Sequence, residues 1–540
     1  MTQNKNLTNS QKDFAVFLPA ISTFYSTFVG KQRFSEYVTY SRVPQTWPNG
    51  VESLNFLNKQ EGMFPYKWGL YSAGHAELDI NKHSPKEDMI RNRDRANSFL
   101  LGDSGGFQIG KGVWEGDWKD PNCPKAQKKR ELVLTWMDAY MDYGMVLDIP
   151  AWVRRIDGAC EKTGISTYQE AVDGTRINND YFMANRTGAC KFLNVLQGEN
   201  HTEAEDWYQQ MKDYCDPVKY PETHFNGWSM GGQNMCDIHL ILKRVVALHF
   251  DGLLEEGIHD WMHFLGTSKL EWAVMLTDIQ RAVRANYNPA FTVSFDCASP
   301  FLATANGQIY TDLDVKDKGK WTYRMQPSID HKQWSTSTRM FEDVVTTEHR
   351  PGTTQPYFEL FDGSPVMDLC TVKDVCIYKP GDLNKIGKEG KTSWDSFSYT
   401  IQMAHNVWTH INAVQTANER YDAGDRPGML IPGHNTKKSA QRPVKHFNNL
   451  FQEVEPVEEN DETFRNVVHS IFAAPTREEA NEIIESHTSL WKQIIGTRGA
   501  SGKKAVNAST MYDVLFDSQA SDTIEDNALD DLEHTQDDEK

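Results

Sequence analysis

One pattern recurs along this chain: an apolar run that ends abruptly in a polar or glycine-rich cluster. The pattern occurs at 97-NSFLLGDSGGFQIGKG-112, 145-MVLDIPAW-152, 191-KFLNVLQGEN-200, 224-HFNGWSMGGQN-234, 262-MHFLGTS-268 and 291-FTVSFDCASP-300. The run ends lie 30 to 49 residues apart, which is room for a strand, a loop, a helix and a return. This spacing is typical of parallel β-sheets.

Segments with helical periodicity lie between several of these runs, at 125–143, 202–214, 235–250 and 269–285. Strands that alternate with helices predict an α/β fold with a parallel sheet. Two earlier apolar runs, near 14–21 and 67–73, bring the number of predicted strands to eight. Eight is the number that closes a (β/α)₈ barrel, so we expect a TIM barrel.

In such a barrel, the loops after the strands form one face, where functional groups collect. Asp103, Asp148, Gln197 and Asp296 all follow or end a predicted strand, so we expect them to converge. Taken alone, 103-DSGGFQ-108 is also compatible with an ordinary turn in which two glycines supply positive φ. Several polar groups on one rim are better explained by a binding site, because buried acids need partners or raised pKa values.

Composition narrows the class of protein. The 540 residues are 39% hydrophobic and 24% charged, as in a globular protein, and no apolar run approaches the roughly 18 residues of a membrane helix. Eight scattered cysteines predict reduced thiols and a cytoplasmic protein, in the host cytoplasm if a virus encodes it. A net charge of -19 argues against a non-specific nucleic-acid coat, although not against a local basic groove.

The ordered motifs resemble those of the tRNA-guanine transglycosylase superfamily. Besides 103-DSGGFQ-108, the matches are Gln197-Gly198, 231-GG-232, 263-HFLG-266, 295-FDC-297 and 306-NGQIYT-311. The resemblance covers about 95–425. It implies an irregular (β/α)₈ barrel over 1–435 with an inserted zinc-type subdomain at about 360–410. We expect a helical extension over 436–510, with a single helix over 476–496 that begins at Thr476, and an acidic disordered tail over 511–540.

The family exchanges guanine in a polynucleotide for a 7-deazaguanine base without breaking the backbone. The resemblance makes Asp296 the nucleophile, because an ionised carboxylate can form a glycosyl ester at C1′. Asp103 is implied as the group that moves protons on the departing and incoming bases. Two nearby acids push their pKa values apart, which suits such a division of roles.

Base recognition is implied for a second set of residues. Asp148 and Gln197 would hydrogen-bond to the purine edge, since a carboxylate can accept from both N1–H and the exocyclic amine of guanine. The remaining residues of the set would contact the base in other ways: Gly231 and Gly232 through the backbone, Ser104 through its hydroxyl, and Phe107 and Leu265 through apolar side chains. Phe107 and Leu265 would lie on the two faces of the base, although either is also compatible with a role in the core.

A structural Zn²⁺ is implied by the resemblance, but the ligand pattern is incomplete. The family has Cys-x-Cys-x-x-Cys followed by His-Asn at a helix start. Here Cys370, Cys376 and His405 match, and one family cysteine is missing. A structural zinc site normally takes four ligands, so Asp368, Asp374 or a residue distant in the sequence would have to complete it, or the metal is lost.

The sequence departs from tRNA-acting members after the nucleophile motif. Those members have Pro-Thr-Arg and further arginines there, whereas 300-PFLATANGQ-308 has none. A branch of the superfamily inserts 7-deazaguanines, such as preQ0-type bases, into DNA in bacteria and their viruses. We therefore expect DNA and a free 7-deazaguanine base as partners, with protection from nucleases that read guanine N7 as the outcome. Two basic segments, 437-KKSAQRPVKHF-447 and 497-TRGASGKK-504, are candidate phosphate contacts or ordinary solvated surface.

Three alternatives stay open. The same chemistry on tRNA is the first, and a non-catalytic, nucleic-acid-binding accessory subunit is the second. Such subunits lose the reactive carboxylates, whereas Asp103 and Asp296 are both present. The third is a barrel glycosidase with two carboxylates, which would leave Asp148 and Gln197 without a purpose. A homodimer is also compatible with the resemblance.

Overall fold

The computed structural model describes most of the chain. The described residues are 13–33, 43–84, 87–315, 321–329, 331–345, 363–377, 393–432 and 463–495, together with positions 349, 352 and 354. The basic segments at 437–447 and 497–504 and the acidic tail at 511–540 lie outside these residues, as does part of the predicted zinc-type subdomain.

Eight parallel strands form a nearly closed barrel sheet, as the sequence pattern predicts. The strands are β1 (Val16–Pro19), β2 (Trp68–Ser72), β3 (Phe99–Asp103), β4 (Tyr143–Met145), β5 (Lys191–Leu196), β6 (Gly227–Met230), β7 (Trp261–Phe264) and β8 (Thr292–Cys297). Their order is β1-β8-β7-β6-β5-β4-β3-β2, and every neighbouring pair is parallel. A parallel bridge between Ala20 and Leu70 links the two edge strands, so the architecture is TIM-like.

Helices follow the strands and cover the outside of the barrel. Those of the barrel are α1 (Thr23–Arg33), α2 (Asp88–Arg91), α3 (Gly106–Gly110), α4 (Pro124–Tyr140), α5 (Ala159–Thr163), α6 (Tyr168–Asn185), α7 (His201–Met211), α8 (Ile238–Phe250), α9 (Leu270–Asn286) and α10 (Ser299–Ala305). Local sequence fixes their starts: the Asp237 carboxylate accepts the backbone N–H groups of His239 and Leu240 at the first turn of α8.

The eighth β/α unit is irregular. After α10 the chain forms an antiparallel hairpin of β9 (Gln308–Asp314) and β10 (Thr322–Pro327). Two short helices follow, α11 (Phe341–Val345) and α12 (Val372–Val375), and then the long helix α13 (Ser393–Asp422) packs against α10, α9 and β9. Short 3₁₀ helices lie at Gly50–Leu54, Ala151–Arg155, Lys212–Cys215, Gly232–Met235, Lys332–Trp334 and Gly428–Leu430.

The C-terminal helices pack on the outside of the barrel. They are α14 (Phe464–Ala473), α15 (Arg477–Ser486) and α16 (Thr488–Ile495). The predicted single helix over 476–496 is therefore wrong in one respect, because the chain breaks it at His487. Its predicted start is confirmed: the Thr476 hydroxyl accepts the backbone N–H of Glu479. Arg465 anchors α14 to Asp278 of α9 at 2.7 Å.

Aromatic rings fill the barrel at the amino ends of its strands. Trp261 stacks on Phe99 with ring centroids 4.6 Å apart, and Trp68 and Tyr143 lie within 6 Å of the Trp261 ring. A packed end leaves the opposite end, where the strands finish, as the place for an open site. No helix in the described part of the chain is long and apolar enough to cross a membrane.

Candidate active site at the carboxyl ends of the strands

Three carboxyl groups meet at the end of the barrel where the strands finish. Asp103 is the last residue of β3, Asp296 lies near the end of β8, and Asp148 follows β4 by three residues. Asp148 and Asp296 are largely buried. Their charges are felt across the site, because the negative charge of Asp296 contributes to raising the pKa of Asp103, and that of Asp103 contributes to raising the pKa of Asp148.

Asp103 is held by the neighbouring strand. Ser72 pairs with it in the parallel register, and the Ser72 hydroxyl donates to Oδ2 at 2.6 Å. The backbone N–H of Gly105 approaches Oδ1 at 3.4 Å. Burial is the main cause that raises the pKa of Asp103, and the charge of Asp296 adds to it. A carboxyl group with a raised pKa can carry a proton near neutral pH and deliver it.

Asp296 is held through one of its two oxygens. Oδ1 accepts the backbone N–H of Gly266 at 3.0 Å and lies 3.1 Å from Nε2 of His263. No donor among the described residues contacts Oδ2, and the side chain keeps 12% of its surface exposed. One oxygen is therefore fixed while the other remains available to an incoming group, which is the arrangement that a nucleophilic carboxylate needs.

Asp148 and Gln197 form a buried pair. The Gln197 amide nitrogen donates to Oδ2 of Asp148 at 2.8 Å. Burial raises the pKa of Asp148 to about 7, against the lowering effect of this hydrogen bond. Asp148 follows its strand, as predicted, because β4 ends at Met145, where its pairing with β5 also ends. Two acceptor-rich groups side by side suit recognition of a purine edge.

Two glycines of the motifs are required by close packing against this pair. A Cβ on Gly106 would lie 2.6 Å from the Asp148 carbonyl oxygen, and one on Gly231 would lie 2.7 Å from Nε2 of Gln197. Either contact is too short for real atoms, so any side chain would displace the recognition pair. Gly232 begins the 3₁₀ helix that follows β6, and it is buried behind Gln197.

The resemblance also implies that Ser104, Phe107 and Leu265 contact the base, and the surroundings of these three residues differ. Ser104 is 1% exposed, and its hydroxyl has no hydrogen-bond partner among the described residues. An unsatisfied buried hydroxyl is costly, so it is a plausible ligand contact. Phe107 is partly buried and tilts against Trp152, with centroids 5.4 Å apart. Leu265 is partly buried, and its backbone N–H donates to Met230.

A cleft of about 550 Å³ opens beside Asp103. Its walls are the segment from Ala73 to Lys82, which follows Ser72 directly, together with Trp114 and the exposed side of α4. Trp114 also lies close to Gly105, the residue that contacts Asp103. The lining includes none of Asp103, Asp148 and Asp296, so this cleft does not enclose the carboxyl groups.

The residues predicted to bind zinc have other partners. His405 lies between Ser364 Oγ, 2.8 Å from Nδ1, and the Tyr310 carbonyl, 2.8 Å from Nε2. The thiols of Cys370 and Cys376 contact the backbone carbonyls of Val366 and His331. His405 is also well inside α13 rather than at a helix start. Among the described residues, no group of three or more His, Cys, Asp or Glu side chains has the arrangement of a metal site.

The described residues therefore do not fit the implied zinc ion, and no step of the chemistry below involves it. The alternative fourth ligands do not change this. Asp374 caps α12 through the backbone N–H and hydroxyl of Thr371, at 2.9 and 2.5 Å. The part of the predicted zinc-type subdomain at 378–392 lies outside the described residues.

Three residues that hold the carboxyl groups in place were not assigned a role from the sequence motifs: Ser72, His263 and Ser294. Ser72 was identifiable only as the end of a predicted strand, in the run 67–73. His263 and Ser294 lie inside strands, where a polar side chain in an apolar run is the one available signal. Both are fully buried, so their hydrogen bonds had to be seen in three dimensions.

Neither the scan against models of protein families nor the search of curated proteins finds a match. Function is therefore inferred from the geometry of the site and from the motifs that its residues form.

Proposed function

We propose that this chain is a transglycosylase that exchanges guanine in DNA for a 7-deazaguanine base of the preQ0 type. The observation that carries the proposal is the cluster of carboxyl groups in which Asp103 interacts with both Asp296 and Asp148, together with Oδ2 of Asp296, which has no donor among the described residues. A carboxylate fixed through one oxygen suits attack on a sugar carbon, and a second carboxyl with a raised pKa suits proton transfer.

The first half-reaction forms a covalent ester. Asp296 Oδ2 attacks C1′ of the target nucleotide, and the C1′–N9 bond breaks with its electron pair passing to the guanine ring. Asp103 gives its proton to the departing base, which leaves as neutral guanine. In duplex DNA, the nucleotide must first leave the stack to reach the barrel.

The second half-reaction reverses these events with a different base. Asp103, now ionised, takes the N9 proton of the incoming 7-deazaguanine. N9 attacks C1′, and the C1′–O bond to Asp296 breaks with its electrons returning to the carboxylate. Two displacements at the same carbon leave its configuration unchanged, as in retaining glycosidases. The product has carbon in place of the N7 acceptor that nucleases read in the major groove.

Base selection is assigned to Asp148 and Gln197. Ionised Asp148 can accept from N1–H and the exocyclic amine, a donor pair that adenine lacks. These two donors stabilise the charged carboxylate, so base binding lowers a pKa that burial has raised to about 7. A glycosidase has no need of such a pair, which favours the exchange of bases over hydrolysis of sugars.

DNA is proposed over tRNA because the segment after the nucleophile, 300-PFLATANGQ-308, lacks the arginines of tRNA-acting members. Purified protein is incubated with a radiolabelled 7-deazaguanine and either duplex DNA or tRNA. We expect label in DNA only. Label in tRNA alone contradicts the DNA substrate but leaves the chemistry standing, whereas label in neither polymer contradicts the proposed function.

A second arm separates an enzyme from a binding subunit. The Asp296→Ala variant should lose incorporation while its affinity for DNA stays within about threefold of wild type, because one uncharged side chain removes no phosphate contact. If the wild type and the variant bind DNA equally well and neither incorporates label, the result would favour the accessory subunit.

A further inference from the structure

A chain of buried hydrogen bonds runs from the packed end of the barrel to the candidate nucleophile. Trp261 Nε1 donates to Ser294 Oγ at 2.8 Å, Ser294 Oγ lies 2.9 Å from Nδ1 of His263, and Nε2 of His263 lies 3.1 Å from Oδ1 of Asp296. His263 and Ser294 are both fully buried. They pair in the register between β7 and β8, so the sheet itself holds the chain in place.

The direction of these hydrogen bonds follows from the donors available. The indole N–H of Trp261 can only donate, so Ser294 Oγ must accept there. If His263 is neutral, its ring proton is on Nε2, because the nucleophilic carboxylate of Asp296 can only accept, and the Ser294 hydroxyl then donates to Nδ1. If His263 is charged, both ring nitrogens carry protons. In either state, Nε2–H points at Asp296.

Ser294, His263 and Asp296 are also the residue types of a hydrolytic triad, but the serine cannot act as its nucleophile. Ser294 is fully buried in β8, two residues before Asp296 and on the same face of the strand. It therefore lies one layer deeper in the barrel than the carboxylate. The exposed member of the set is Asp296, with 12% of its side chain accessible.

We propose that His263, held by Ser294 and Trp261, is a positioning residue that aims Asp296 at the anomeric carbon. This inference rests on the proposed function and adds the group that orients its nucleophile. With Gly266 N–H and His263 Nε2–H both on Oδ1, rotation of the carboxylate is restricted, and Oδ2 faces the incoming sugar. Groups that orient reacting atoms in this way lower the barrier without contacting substrate.

The same contact acts on the second half-reaction. When the ester breaks, negative charge returns to the Asp296 carboxylate, and two preorganised donors at Oδ1 stabilise that charge as it develops. Loss of the His263 donor should therefore slow turnover in both directions. Binding of DNA and of the free base should change little, because His263 is inaccessible to either.

The test compares two substitutions at His263 in the full chain. His263→Phe preserves a ring without a donor, whereas His263→Gln restores an amide N–H at the position of Nε2. We expect His263→Phe to lower kcat by roughly 10- to 100-fold with the KM for DNA and for base within about threefold of wild type. His263→Gln should recover most of that loss. Thermal unfolding confirms that each variant is folded.

His259 supplies the matched control. It is also fully buried and hydrogen-bonded, to the Cys215 carbonyl at 2.8 Å, but it precedes β7 at the opposite end of the barrel. Its substitutions His259→Phe and His259→Gln should leave kcat unchanged in the folded protein. A kcat for His263→Phe equal to wild type overturns the inference, as does an equal loss in the Phe and Gln variants.

Nitrogen-15 NMR of the histidine rings distinguishes a failure of the positioning role of His263 from a failure of the proposed function. The His263 signal, identified by its loss in His263→Gln, should show a protonated, hydrogen-bonded Nε2, and it should shift in Asp296→Ala. A wild-type protein that exchanges no base refutes the proposed function and the positioning role with it. Exchange by wild type with an unprotonated Nε2 refutes the positioning role alone.

Discussion

The barrel mouth and the segment around α13 both carry residues that a family resemblance assigned to chemistry, yet they hold these residues differently. At the mouth, the ends of parallel strands bring Asp103 within reach of the charge of Asp296 and bring Asp148 within reach of the charge of Asp103. Around α13, His405 and the thiols of Cys370 and Cys376 are each satisfied by separate oxygen atoms. Residues of a sequence motif form a binding site only where the fold places their polar groups next to one another, rather than against separate partners.

The largest expected effect is at Asp296. Asp296→Asn should lower base exchange by roughly 10³-fold or more, because an amide cannot form the glycosyl ester. The measurement is incorporation of labelled 7-deazaguanine into DNA. Asp260→Asn is the control, since Asp260 is a hydrogen-bonded acid just before β7, at the other end of the barrel. Residual exchange above a few per cent would remove Asp296 from the role of nucleophile.

Asp103 should rank second. Asp103→Asn is expected to slow exchange by roughly 10²- to 10⁴-fold, the usual contribution of a general acid–base group. Ser72→Ala gives a graded comparison, because it removes a 2.6 Å hydrogen bond that favours the ionised form of Asp103. Without that bond the pKa of Asp103 should rise further, and the lower pH limit of the second half-reaction should move upward. An unchanged pH profile in Ser72→Ala would argue against Asp103 as the base.

Sequence reasoning succeeded where the fold itself determines position. Eight strands, their parallel order and the rim that carries Asp103 and Asp296 all follow from the spacing of apolar runs. It failed where one local turn decides the outcome, because His487 interrupts a helix whose apolar periodicity continues. The chain from Trp261 to Asp296 was beyond prediction, because hydrogen bonds across two strands depend on register.

Asp148 should control which base enters and at what pH. Its ionised form accepts both guanine donors, so affinity for a 7-deazaguanine should increase as the pH rises through about 7. The amide of Asp148→Asn can accept one hydrogen bond, from N1–H, and donate another, to a carbonyl oxygen at C2. The preference should therefore change to 7-deazaxanthine, and binding of 7-deazaguanine should weaken by roughly 10- to 100-fold. Competition between the two bases at pH 6 and pH 8 measures this. Retained preference for 7-deazaguanine in the variant would exclude Asp148 from recognition.

Asp148 should also make the stability of the folded protein depend on pH, in the direction opposite to its effect on base affinity. The native pKa of about 7 exceeds the ordinary 3.8, so the folded protein binds more protons than the unfolded chain between those values. Stability contributed by protonated Asp148 is therefore lost as pH rises towards 7. Asp148→Asn should raise the free energy of unfolding at pH 8 by up to about 4 kcal/mol, and Tm with it, and should have little effect at pH 4. A lower Tm at pH 8 would mean that the charged form is stabilised in the fold.

The smallest expected effect concerns metal, and it tests the second region directly. Burial lowers the pKa of His405 to about 4, so the neutral ring is the native form. Its stabilising contribution is present above the ordinary pKa of 6.5 and is lost as pH falls through about 4, because the unfolded chain takes up a proton first. A zinc ligand would instead tie stability to the metal, through binding energy that a chelator removes. With both ring nitrogens 2.8 Å from oxygen atoms, His405 should behave as a buried core histidine.

We therefore expect His405→Gln to lower Tm by the same amount with and without a chelator, and purified wild-type protein to hold less than about a tenth of an equivalent of zinc. Stoichiometric zinc, with a Tm difference that the chelator abolishes, would make α13 a metal-binding element after all and would erase the contrast between the two regions.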